Sequence, residues 1–207
     1  MFENHKKIAW QFSVFTAAYA VFFFAHSFFM QNFEFMFYSV VILVLLAVLI
    51  NVYRRFAFSE WIIISLSIFG LLHLAGGNIY IYGVRLYDFP IAGNLFHFDN
   101  VVHTTGIFLT TIILYNLISP FIDQRVKDKY IIFYFLLILM ALGIGSLNEI
   151  IELIAVLYLR AGQGVGNYLN NAFDIVFNAF GSTVATVVIH WTEAKRRRLK
   201  LMPTEQQ

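Results

Sequence analysis

Residues 130–158 read YIIFYFLLILMALGIGSLNEIIELIAVLY, and this stretch decides the fold. From Tyr130 to Asn148 nineteen residues pass without a charge. A helix rises 1.5 Å per residue and crosses the hydrocarbon of a bilayer in about 20 residues. The run is long enough to span with some tilt, and Gly143 and Gly145 offer a place to kink. Near its end stand two acids, Glu149 and Glu152, one turn apart on one helical face. Charge inside a bilayer is costly and marks a functional site by default.

Five more apolar runs flank this one: Ile8–Met30, Phe33–Tyr53, Glu60–Ala75, Phe98–Ser119 and Tyr168–Trp191. The third is short unless Gly76 and Gly77 extend it. The first follows a short basic segment but lacks a small-x-small cleavage site, so it reads as an uncleaved helix rather than a signal peptide. The expectation is an all-α, polytopic integral membrane protein, a single six-helix transmembrane domain over residues 1–207. Composition agrees: 60% of residues are apolar and 13% charged, against about 25% charged in soluble domains. The longest connection, residues 76–97, is long enough to form an ordered cap. Cysteine is absent, which excludes disulfides, thiolate catalysis and Cys-type metal sites. No lysine lies inside a span, which excludes a retinal Schiff base.

The basic residues orient the map. Lys6, Lys7, Arg54, Arg55, Arg125, Lys127, Lys129, Lys195, Arg196, Arg197, Arg198 and Lys200 share one side, while only Arg85 and Arg160 lie on the other. The positive-inside rule then puts both termini in the cytoplasm. Trp10, Trp61 and Trp191 fall at the same cytoplasmic ends, as interfacial anchors do. The net charge of +2 sits beside apolar runs and carries no nucleic-acid signal; the partners expected are membrane lipids.

Three helices repeat one small pattern. The fourth span reads Phe98-Asp99-x-Val101-x-His103-x-x-Gly106, and the sixth reads Phe173-Asp174-x-Val176-x-Asn178-x-x-Gly181. The fifth, running the other way, reads Gly145-x-x-x-Glu149-x-x-Glu152. Spacings of i, i+4, i+7 lie on one helix face. Asp99, Glu152 and Asp174 form an outer layer, with His103, Glu149 and Asn178 about 6 Å deeper. Gly106, Gly145 and Gly181 are expected to close the floor of an outward-opening polar pocket.

Three readings of this cluster stand. A divalent cation balances the acids, with Asp99, His103, Glu149 and Asp174 as ligands and His73 as a further one; imidazole with carboxylate suits zinc, manganese or iron. Alternatively, protons with Arg85 and Arg160 neutralise the acids, and the network only locks helices together. In the third reading the acids relay protons or ions. Gly162-Gln163-Gly164-Val165-Gly166 lacks the strand-to-helix context of a phosphate loop and reads as an outer turn.

The order Asp-x-x-x-His, Glu-x-x-Glu, Asp-x-x-x-Asn-x-x-Gly, over about Leu72 to Gly181, resembles VanZ-like membrane proteins. Within that group it is most similar to the YjdF-type inner-membrane family, as is His73-x-x-Gly76-Gly77 followed by Tyr-rich sequence. Glu152 stands where those proteins commonly have Gln. The resemblance implies a polytopic envelope protein, linked in VanZ-like members to glycopeptide resistance and envelope modification. The function expected is that of a metal-dependent enzyme acting on a lipid or lipid-linked headgroup at the outer leaflet, by hydrolysis or headgroup transfer. In it Glu152 is the general base or a further ligand, Asn178 orients a ligand, and Arg85 and Arg160 contact a phosphate. The alternatives are a membrane subunit or scaffold and an ion- or proton-coupled transporter.

Overall fold

The computed structural model describes residues 2–56, 60–93, 96–159 and 168–201. The described residues contain α1 (Phe2–Phe29), α2 (Phe33–Phe56), α3 (Glu60–Asn78), α4 (Phe98–Ile118), α5 (Gln124–Asp128), α6 (Tyr130–Leu159) and α7 (Tyr168–Leu201). All but α5 are long and apolar enough to cross a membrane. Third-span expectations stopped at Ala75, but α3 continues through Gly76 and Gly77 to Asn78. Two aromatic rings explain how glycines end this helix: a Cβ on Gly77 would run into the Phe35 ring, and one on Gly76 into the Tyr87 ring. The helix of the sixth span, α7, is also longer than its apolar run. The segment Thr192–Leu201 carries Glu, Ala, Lys, Arg and Leu, all strong helix formers. Over 34 residues, α7 reaches roughly 51 Å at 1.5 Å per residue, well beyond the ~30 Å hydrocarbon.

The helices pack as two groups of three, α1 with α2 and α3, and α7 with α4 and α6, joined where α3 lies on α4. One apolar core, built on Tyr19, Phe35, Leu74, Tyr87 and Val102, ties the first group to α4. A second, built on Ile62, Ile112, Leu137, Ala185 and Ile189, lies towards the other end. Buried polar groups between α1 and α3 find partners: Tyr19 donates to the Ser67 carbonyl at 2.9 Å, and the Thr16 and Ser67 hydroxyls bond each other at 2.7 Å.

Residues between α3 and α4 fold into a cap. Strands β1 (Tyr80–Ile81) and β2 (Val84–Arg85) pair antiparallel through Tyr82 and Gly83, both at positive φ (52° and 81°). Such a two-residue turn matches the twist of a hairpin. A single 3₁₀ turn, Leu86–Asp88, follows, and then β3 (Pro90–Ala92) pairs with β4 (Phe96–His97). Arg85 fixes the cap to the bundle: it donates to both Asp88 carboxylate oxygens at 2.9 and 3.2 Å and stands 3.8 Å from Glu34 at the start of α2.

Candidate functional site

Beneath the cap, α4, α6 and α7 bring the acids together around one ring. His103 Nε2 lies 3.5 Å from Asp99 Oδ1 and 3.7 Å from Asp174 Oδ1, while Nδ1 lies 3.9 Å from Glu149 Oε1. The residues expected on one pocket face therefore do meet. They meet as two sets, however, on different edges of the imidazole. Donor atoms of Asp99, His103 and Asp174 lie within 4.8 Å of one another, and so do those of His103, Glu149 and Glu152.

Close helix contact makes this convergence possible. A Cβ on Gly181 would overlap the Thr104 backbone carbonyl, so α7 lies directly on α4 at the residue that follows His103. Gly145 receives the Asn178 amide. Gly106 behaves differently from the expected three-glycine floor: its missing side chain makes room for the Phe69 ring of α3. A planar ring, larger than any glycine surface, closes that side instead.

Four acceptor atoms in this cluster are buried without a hydrogen bond: both Glu149 carboxylate oxygens, Asp174 Oδ1 and Asn178 Oδ1. Asp174 is wholly buried and Asn178 is 2% exposed. Such atoms are rare in folded proteins, and each calls for a proton, an ion or a water. Other oxygens are held by asparagines that the motif reading overlooked. Asn148 donates to Glu152 Oε1 at 2.7 Å, and Asn170 donates to Asp174 Oδ2 at 2.9 Å. Both pairs are spaced i, i+4 on one helix, a signal present in the sequence.

His73 stands in neither ligand set among the described residues. Its Nδ1 shares a hydrogen bond with the Tyr87 hydroxyl, and the rings of Phe35, Tyr38, Phe69 and Tyr87 surround it at 5.1–6.4 Å between centroids. Burial, with the fields of Asp99 and Glu152, pushes the Tyr87 phenol well above its ordinary pKa, so its proton stays. Tyr87 also lines a cleft of about 80 Å³ with Asp88, His97, Asp99 and Asn170, which connects the cap to the site. His97 precedes α4 and donates its backbone N–H to Asn100 Oδ1 at 2.9 Å.

Arg85, expected as an anion contact, has its guanidinium on Asp88 and Glu34. Burial works to lower its pKa, but those two carboxylates outweigh burial and raise it. Arg160 and the Gly162–Gly166 turn lie outside the described residues.

The family model described as "Predicted membrane protein (DUF2238)" matches residues 10–195, and the chain belongs to that family. Comparison with the curated proteins and with the solved structures gave no match.

Proposed function

We propose that this integral membrane protein binds a divalent cation between Asp99, His103 and Asp174 and uses it on a lipid or lipid-linked headgroup. One observation carries the reading. Asp174 Oδ1 is wholly buried, accepts no hydrogen bond and lies 3.7 Å from His103 Nε2, with its twin oxygen already held by Asn170. An anionic oxygen so placed needs a cation or a proton. A cation polarises an ester or phosphoryl oxygen and lowers the pKa of bound water, which suits hydrolysis or headgroup transfer. Glu152 Oε2 and the Glu149 oxygens are the atoms left to take a proton or hold positive charge. The cleft beside Asp99 is the route by which a headgroup reaches the site.

The basic residues at the far ends of the helices support a site facing outwards, with both termini in the cytoplasm. The resemblance to VanZ-like proteins of the YjdF type supports an envelope role. A purely structural network explains the Asn148 and Asn170 bonds but leaves four buried acceptors without partners. Transport is less suited, since the acids gather at the capped end rather than at mid-helix.

Elemental analysis of the purified protein, followed by headgroup release from lipid vesicles, tests the reading. The wild type retains a divalent metal and acts on lipid; Asp174→Asn loses both while its helices still insert. A metal-free wild type as stable as its Asp174→Asn variant leaves the scaffold reading in place.

A further inference from the structure

We propose that the site takes two divalent cations, one on each edge of the His103 ring. This deepens the reading above and rests on it for the first cation.

Asp99 and Asp174 face Nε2 at 3.5 and 3.7 Å, whereas Glu149 faces Nδ1 at 3.9 Å. The two ring nitrogens point in diverging directions within the ring plane, so one ion cannot bond to both. A cation at Nε2 therefore leaves Glu149 unserved. Both Glu149 oxygens are cut off from solvent and accept no hydrogen bond. Glu152 stands beside it with Oε1 on Asn148, which leaves Oε2 to bind. The donor atoms of His103, Glu149 and Glu152 lie within 4.8 Å of one another, as do those of the first set.

Charge leads to the same count. Four carboxylates surround His103, and one divalent cation offsets only half of their charge. A second offsets the rest, which matters where water is scarce. One imidazole nitrogen and two carboxylates on each edge suit zinc, manganese or iron more than magnesium or calcium. A neutral imidazole has one N–H and one acceptor nitrogen. Filling both edges would release the ring proton to solvent, and His103 would then serve both ions as imidazolate, so that five negative charges meet four positive ones.

Counting cations tests this. The full chain in lipid nanodiscs is stripped with chelator, reloaded with Mn²⁺ and analysed for bound metal. The wild type is expected to hold about two Mn²⁺ per chain, with the exchange-coupled resonance of a bridged pair. The paired change Glu149→Gln with Glu152→Gln is expected to hold about one, with an uncoupled spectrum. Glu149→Gln alone, nearly isosteric, serves if the pair fails to fold, and should lose the coupled signal likewise. One uncoupled Mn²⁺ in the wild type, unchanged in either variant, overturns the second cation and leaves the first standing. No bound Mn²⁺ in the wild type overturns both.

Discussion

Gly181→Ala places a methyl group where α7 touches the Thr104 backbone carbonyl of α4. A carbonyl on a helix cannot swing aside as a side chain does. The helices must part by roughly 1 Å to restore ordinary contact, because carbon packs best at about 3.5–4.0 Å. Overpacking of this kind typically costs about 1–3 kcal/mol. The damage travels seven residues along α7 to Asp174, which sits 3.7 Å from His103 Nε2 and would be drawn from the proposed cation. If the whole cost falls on binding, affinity drops about 5- to 150-fold, at tenfold per 1.4 kcal/mol. The assay pairs thermal unfolding with Mn²⁺ titration in nanodiscs. Gly143→Ala is the control: its Cβ would meet open space, and the better helix former should leave stability equal or raise it by up to ~1 kcal/mol. If Gly181→Ala unfolds at the wild-type temperature and binds Mn²⁺ as tightly, the close contact of α4 and α7 does not set the site.

Other expectations follow from single contacts. Tyr87→Phe keeps the ring over Gly76 but removes the hydroxyl from His73, and should lower stability by about 0.5–1.5 kcal/mol in thermal or denaturant unfolding; no change would mean the hydrogen bond is idle. Asn170→Ala frees Asp174 Oδ2 and should weaken Mn²⁺ binding about 10- to 100-fold, as loss of a ligand's supporting partner does, with the protein still inserted; unchanged binding would remove Asn170 from the site. Cation binding should weaken as pH falls from about 7.5 to 5.5 in equilibrium dialysis, because carboxylate and imidazole ligands must shed protons to bind. Flat affinity over that range would argue against this ligand set.

Much of this architecture was legible in the chain. Apolar length alone marked six spans, and the i, i+4, i+7 faces placed Asp99, His103, Glu149 and Asp174 in one cluster. Periodicity fixes which face a residue occupies. It does not fix which ring nitrogen a carboxylate meets, so the split around His103 had to come from three-dimensional packing. Gly106 shows a similar limit: spacing put it on the site face, but the neighbour filling its space came from α3, whose approach no local pattern encodes. The hairpin at Tyr82-Gly83 was missed because Tyr rarely adopts positive φ. Asn148 and Asn170 stand i, i+4 from Glu152 and Asp174, a spacing readable in the chain.

The most direct test of the central claim is pulsed electron resonance of the Mn²⁺-loaded chain in nanodiscs. Coupling of the metal to imidazole nitrogen is expected in the wild type and should vanish in His103→Ala, with that variant still folded by its thermal transition. Bound Mn²⁺ without nitrogen coupling, or none retained after removal of free metal, would contradict a cation centred on His103.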